Sequence, residues 1–237
     1  MVDASEHLRD PDRALWATYQ QQEAQGLRKE ALAALREIVD AIRAYPPERR
    51  TAWVEAICAE HWDDAKYPWF EGRLTLRSPL LVDVVLPELL AGYEQRRPNS
   101  ARWLALFSLT STGNVSAQIY DELRLHGMPE WYPPDVLREA IALDPSDHQA
   151  AHALIRHLEA CFDYATHELP RGVLVDDTDT WRRELDEFER LIERYPTGRD
   201  YTFELAGWRL HCDAWEKYLA RKDEFGSYAE FLARGDP

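Results

Sequence analysis

Cysteine is scarce in this sequence. The 237 residues include three cysteines, Cys58, Cys161 and Cys212, which lie far apart and each within a helical pattern. A disulfide framework needs paired cysteines, and a zinc motif needs ligands at close, regular spacing. The pattern therefore excludes both, and we expect the three thiols to act as small buried hydrophobic side chains.

Long apolar runs are also missing. The most apolar stretch, Pro79 to Tyr93, is interrupted by Asp83 and Glu88. The first residues, Met-Val-Asp-Ala-Ser-Glu-His, lack the basic and apolar regions of a signal peptide. We therefore predict a chain that does not enter a membrane and that resides in the cytoplasm.

Basic residues are in deficit. Lys and Arg number 28 against 43 Asp and Glu, which gives a formal net charge of −15. A surface of this sign repels phosphate backbones and anionic lipids, so neither nucleic acid nor a membrane is an expected partner. The charge has two interpretations: the ordinary solubility of an acidic protein, or attraction to a basic partner protein.

Motifs for catalysis are missing as well. The sequence shows no Gly-Ser-Gly nucleophile turn, no phosphate-binding glycine loop, no Cys–His pairing and no dinucleotide fingerprint. We therefore predict a protein that is not an enzyme and that needs no cofactor.

Apolar residues recur at spacings of three and four over nearly the whole chain, which predicts an all-α fold. The clearest example runs from Leu27 to Tyr45, where one stripe faces a charged side. That stripe consists of Leu32, Leu35, Ile38, Val39 and Ile42. The helix should stop at Pro46-Pro47, because proline cannot continue it and disfavours helical geometry at the preceding residue.

Three further prolines end amphipathic stretches in the same way. Together Pro46, Pro98, Pro145 and Pro196 are separated by 52, 47 and 51 residues. A regular period of this kind is typical of stacked helical units. We expect one helical-repeat domain over 1–237, an α-α superhelix of about four helix-pair units with a period near 50. The unit boundaries are roughly 11–46, 47–98, 99–145, 146–196 and 197–237.

The helix ends resemble those of the tetratricopeptide-repeat (TPR) family, whose second helix carries small, large and small residues and then a proline. Ala34, Ile38, Ala41 and Pro46 fit this pattern, and the join between two repeats is similar to the segment Ala-Leu-Asp-Pro-Ser-Asp at 142–147. The period near 50 exceeds the family's repeat of about 34 residues. The resemblance implies a degenerate, TPR-like superhelix with a concave groove for peptides or partner proteins and without catalysis.

Two pairs of aromatic residues lie in connectors beside prolines: Trp69 with Phe70, and Trp131 with Tyr132. Aromatic side chains in such places can anchor a protein interface. They can equally fold back over helix ends and seal the core. We count all four as candidate binding residues.

Acidic residues cluster at Asp63-Asp64 and at Asp176, Asp177 and Asp179. These five carboxylates are further candidate binding residues, because they would complement a basic partner. A simpler interpretation of the second group is that Asp177 or Asp179 caps the helix that begins near Trp181.

Three histidines, His148, His152 and His157, follow Pro145 on one predicted helix. The first two are four residues apart and share a face, where two imidazoles could hold a metal. No Glu follows His148, so the zinc-protease pattern is absent, and ordinary surface or groove histidines are the simpler interpretation.

Three functions are compatible with these features. The first is a non-catalytic protein-protein interaction module for a basic partner, of which an immunity or antagonist protein against a basic toxin is one subclass. The second is a metal- or small-ligand-dependent helical enzyme that uses the clustered Asp or His residues. The third is assembly into a homo-oligomer through the ends of the helical stack.

Overall fold

The computed structural model describes residues 4–63, 77–97, 99–110, 113–128, 132–169 and 177–234. All regular secondary structure within these ranges is helical, and they contain no β-strand. The predicted all-α class is therefore confirmed. None of the helices in these ranges is long and apolar enough to span a membrane.

The chain divides into two compact units, Met1–Gln149 and Ala150–Pro237. Each unit is described by itself below. The prediction of one continuous repeat domain over 1–237 stays a prediction.

The first unit begins with a 3-10 turn at Ala4–His7, followed by helices α1 (Asp10–Ala24), α2 (Arg28–Arg43) and α3 (Pro47–Cys58). Helix α3 continues into a π-helical turn at Ala59–Asp63. The short α4 (Ser78–Leu80), a second π-helical turn (Leu81–Val85) and α5 (Leu86–Glu94) follow one another directly. Helices α6 (Ser100–Thr110), α7 (Gly113–Leu125) and α8 (Pro133–Leu143) complete the unit.

Helices α1 and α2 form an antiparallel pair across a tight turn. Gly26 in that turn has a φ of 73°, a left-handed conformation that glycine adopts without strain. The predicted stripe of α2 faces inward, with Leu35, Ile38 and Ile42 fully buried. This pair therefore buries most of the apolar surface that the α2 sequence offers.

All four prolines end helices as predicted. Helix α2 stops three residues before Pro46, α5 four residues before Pro98, and α8 two residues before Pro145. In the second unit, the helix before Pro196 stops at Arg194. Proline lacks the amide hydrogen that an interior helical position donates. This effect is local and does not depend on how the helix packs.

The described residues of segment 99–145 belong mainly to helices α6, α7 and α8. The first half of the segment contains the run Thr-Ser-Thr-Gly-Asn at 110–114. Helix α6 ends at Thr110 and α7 begins at Gly113, and residues 111–112 between them lie outside the described residues.

A buried ion pair lies in the same unit. The guanidinium of Arg102 on α6 donates to the carboxylate of Asp147 at 2.6 Å, and both side chains are about 95% buried, with exposed fractions of 5% and 4%. Asp147 also accepts from the backbone amide of Gln149 at 3.1 Å. The charges of Arg102 and Asp147 therefore compensate each other inside the first unit.

The described residues of the second unit form four helices. They are α9, which begins in the first unit's last residues (His148–Glu168), α10 (Thr178–Arg194), α11 (Thr202–Ala220) and the short α12 (Tyr228–Ala233). A 3-10 turn at Lys222–Glu224 connects the last two. The core between these helices is largely aromatic, and tightly packed rings hold α11 in place.

Candidate protein-binding surface on helix α11

Five of the sequence-predicted binding residues lie outside the described residues: Asp64, Trp69, Phe70, Trp131 and Asp176. Asp63 is the last residue of the π-helical turn that follows α3. Tyr132 lies directly before α8, and its side chain is exposed. Among the described ones, Asp63 and Tyr132 belong to the first unit, and Asp177 and Asp179 belong to the second. Their joint role in binding stays a prediction.

Asp177 caps helix α10. Its carboxylate accepts from the backbone amide of Thr180 at 2.7 Å and from the hydroxyl of the same residue at 2.8 Å. These hydrogen bonds lower the pKa of Asp177, because they stabilise the charged form. Asp179 is an acidic residue in the first turn of the same helix, where it favours the helix dipole. The capping interpretation is confirmed for Asp177.

Helix α9 holds a histidine–cysteine contact that was not predicted from the sequence. The Nε2 atom of His157 lies 3.4 Å from the Sγ atom of Cys161, one turn further along α9. Their four-residue spacing was the available signal, and the statement that the chain has no Cys–His pairing is therefore wrong. Within the described ranges, no group of three or more His, Cys, Asp or Glu side chains could hold a metal ion.

Helix α11 has an inward face that is fixed by aromatic packing. Trp208 is buried, with its ring centroid 5.1 Å from that of Phe162 and 5.5 Å from that of Phe188. Its indole Nε1 donates to Asp163 of α9 at 3.2 Å. Near the end of the helix, the Trp215 ring packs edge-on against Tyr228 of α12 at 5.0 Å. These contacts determine which way the rest of α11 faces.

The opposite face of α11 presents apolar side chains to solvent. Phe203 is 88% exposed and Leu210 is 58% exposed, whereas Ala206 is exposed and Gly207 partly exposed between them. Residues three, four and seven apart share one face of a helix, so the four form a single patch. We call Phe203, Ala206, Gly207 and Leu210 the apolar hole.

Helix α10 reaches α11 through an exposed ion-pair network. Arg182 of α10 donates to Asp213 of α11 at 2.8 Å and to Glu216 at 2.6 Å. The hydrogen bond from Arg182 lowers the pKa of Glu216 and raises that of the guanidinium. One arginine thus serves two carboxylates one turn apart.

The same arrangement runs in the other direction. Arg209 of α11 donates to Glu189 of α10 at 2.6 Å and to Asp186 at 3.4 Å. We call these contacts and those of Arg182 the α10–α11 ladder. The ladder sets two arginines against four carboxylates, which leaves a formal charge of −2 on an exposed surface.

A second acidic cluster surrounds Arg199. This guanidinium bridges Glu159 of α9 and Glu204 of α11, and it also lies over the Tyr201 ring at 4.7 Å. The hydrogen bond from Arg199 lowers the pKa of Glu204, whereas the charge of the neighbouring Asp200 opposes that shift. We call Arg199, Glu159, Glu204 and Asp200 the Arg199 cluster. One arginine against three carboxylates again gives −2.

The two clusters lie on opposite sides of the apolar hole. Since successive helical residues are about 100° apart, Glu204 points about 100° to one side of Phe203, and Arg209 and Asp213 point about as far to the other side. Electrostatic attraction on both flanks therefore favours a basic molecule over the hole.

None of the residues of this surface was among the sequence-predicted binding residues. Its signal was present, since α11 carries Phe203 and Leu210 on one side and Trp208 and Trp215 on the other. A helix that is apolar on two sides either is buried on both or exposes one of them. The pattern alone does not decide between these outcomes.

Comparison with known proteins adds no relative. No family model matches the chain, and no curated protein or solved structure matches it significantly.

Proposed function

We propose that this chain is a non-catalytic protein-binding module whose partner is a basic protein, and that the partner binds on the outward face of α11. The observation that carries the proposal is the exposure of Phe203 and Leu210 between two clusters of net negative charge. The formal charge of −15 supports the same partner chemistry. The TPR-like arrangement of proline-ended helices is the fold proposal that accompanies it.

Phe203 and Leu210 leave apolar surface in contact with water. Full burial of a Phe or Leu side chain is worth about 1.5–3 kcal/mol, so two exposed ones represent a substantial unused contribution. Aromatic anchors of this kind dominate many protein interfaces. Acidic flanks add faster association and selectivity for partners of the opposite charge.

The test is a comparison of binding by three forms of the chain. The wild type, the double variant Phe203→Ser with Leu210→Ser, and the control Leu125→Ser are immobilised and incubated with lysate of the native host. Leu125 is also a highly exposed apolar residue but lies on α7 in the other unit. The bound proteins are measured at low and high salt.

We expect basic proteins to be retained by the wild type and by the Leu125 variant, to be lost from the double variant, and to be released at high salt. If the double variant retains the same proteins as the wild type, the outward face of α11 is not the binding surface. Binding that is indifferent to salt would remove the charge argument.

A further inference from the structure

Gly207 is unexplained by the packing of its own chain. Glycine in a helix interior costs about 1 kcal/mol relative to alanine. A Cβ atom added at Gly207 would meet no atom within 4 Å, and the residue lies inside α11 rather than in a left-handed turn. Within the described residues, neither packing nor backbone conformation therefore requires glycine at position 207.

Gly92 on α5 provides the contrast. A Cβ atom there would lie 2.3 Å from the Oγ atom of Ser100 and 2.9 Å from a nitrogen of Arg97. Close internal packing explains glycine at that position. At Gly207 the open space is on the solvent side, which is where a close approach from another molecule would need it.

The four residues of the apolar hole have a spacing that suits a helix. In helix-helix packing, a knob from one helix inserts into a hole formed by four residues of the other, at positions i, i+3, i+4 and i+7. Phe203, Ala206, Gly207 and Leu210 occupy these positions on α11. The two large side chains form the ends of the hole, and the two small ones leave its centre deep.

The flanks of the hole define the charge of the incoming helix. The α10–α11 ladder and the Arg199 cluster each carry −2 and lie on opposite sides of the hole. In a helix pair, the residues that flank the apolar contact set partner choice through their charges. A second copy of α11 would bring the same acidic flanks into contact, and like charges would oppose that pairing.

We infer that the apolar hole receives one apolar side chain of a basic amphipathic helix, with lysine or arginine on both sides of its apolar face. The inference rests on the proposed function, because it specifies the structural class of the partner at that surface. Gly207 acts as a specificity-determining residue, since it sets the depth of the hole.

The probe is a synthetic helical peptide of about three heptads, with Leu at the two apolar positions of each heptad and Lys at the flanking ones. Two comparison peptides have the same composition in scrambled order and the same order with Glu in place of Lys. The proteins are the wild type, Gly207→Ala, Gly207→Leu, and the control Ala33→Leu on the exposed side of α2. Affinity is measured by titration, and the thermal midpoint of each protein is recorded.

We expect the wild type and the Ala33→Leu control to bind the basic amphipathic peptide at least about tenfold more tightly than either comparison peptide, a difference of about 1.4 kcal/mol. Gly207→Leu should remove that preference, since its side chain fills the hole. Gly207→Ala should raise the thermal midpoint, because it removes the helix penalty of glycine. Gly207→Leu removes the same penalty at an open position, so its own thermal midpoint should not fall below that of the wild type, and its loss of binding would then not reflect unfolding.

Three results would overturn the inference. Equal binding of the peptide by Gly207→Leu and the wild type would exclude the apolar hole as the binding site of the peptide. Equal binding of the basic and scrambled peptides by the wild type would reduce the attraction to charge alone. A wild type that is dimeric in sedimentation, with a monomeric Gly207→Leu variant, would assign the hole to a second copy.

The two proposals can fail separately. If the Phe203/Leu210 double variant loses its basic protein partner but Gly207→Leu keeps it, the proposed binding surface is supported. The inference that the partner inserts a helix into the apolar hole is then wrong. If the double variant keeps the partner, the proposed surface itself is wrong.

Discussion

Helices α2 and α11 use their apolar residues differently. On α2 the apolar residues share one face, which packs inside the first unit and leaves Arg36, Glu37 and Asp40 exposed on the other. On α11 the inward face holds Trp208, Cys212 and Trp215, and a second apolar face remains exposed.

The difference separates side chains that stabilise the fold from side chains that are available for binding. Burial within the chain accounts for most of the stripe of α2, since Leu35, Ile38, Val39 and Ile42 are all buried. It accounts for only one of the two apolar faces of α11, and exposed apolar patches bordered by charge are typical of interaction surfaces. The outward face of α11 should therefore tolerate substitutions that α2 does not.

The largest expected effect comes from truncating matched aliphatic residues on the two helices. Ile38→Ala on α2 should lower the free energy of unfolding by about 2–5 kcal/mol, because Ile38 is fully buried and its removal leaves a cavity. Leu210→Ala on α11 should change it by less than about 0.5 kcal/mol. Urea denaturation measures both. A comparable loss in the two variants would show that Leu210 is packed within the folded chain.

Sequence reasoning succeeded where the physical cause is local. The ends of α2, α5, α8 and α10 follow from the chemistry of proline, and the cap at Asp177 follows from a carboxylate beside unpaired amides. The all-α class follows from apolar spacing. The TPR resemblance concerns the stacking of these helices and stays a prediction.

The candidate site could not be predicted in the same way. The α10–α11 ladder joins residues 20 to 34 positions apart, so it exists only once the two helices pack. The exposure of Phe203 depends on which face of α11 the Trp208 ring turns inward. The sequence analysis instead favoured aromatics in connectors, because variable loops often carry function. The Cys161–His157 contact was within reach, since it needs only helical spacing.

The second prediction sharpens the contrast between the two faces of α11 with thiol chemistry. Burial raises the pKa of the Cys212 thiol to about 11, and the side chain is almost completely buried. A cysteine introduced by Phe203→Cys should be solvent-exposed and ordinary in reactivity. In a Cys161→Ser background, we expect the new thiol to react with an aromatic disulfide at least about tenfold faster than Cys212, because the raised pKa lowers the thiolate fraction of Cys212 and burial blocks access of the reagent.

The rates are measured at slightly alkaline pH, and the modified residue is identified by mass spectrometry. The Cys161→Ser protein with native Phe203 is the control and should show no fast phase, since Cys58 is buried as well. Fast labelling of Cys212 in the control would mean that the inward face of α11 opens readily.

The smallest expected effect concerns acid stability. Because its hydrogen bond with Arg182 lowers the pKa of Glu216 in the folded state, the pair contributes stability above the unfolded pKa of about 4.5 and loses it as the pH falls through the folded value. Replacing either partner, by Glu216→Gln or Arg182→Gln, should make the loss of stability below about pH 4.5 less steep. Arg182→Gln also removes the contact with Asp213, so the double variant should resemble the Arg182→Gln single variant rather than the sum of the two. Thermal midpoints between pH 3 and 7 provide the measurement, and additive effects of the two substitutions would show that Arg182 and Glu216 act independently.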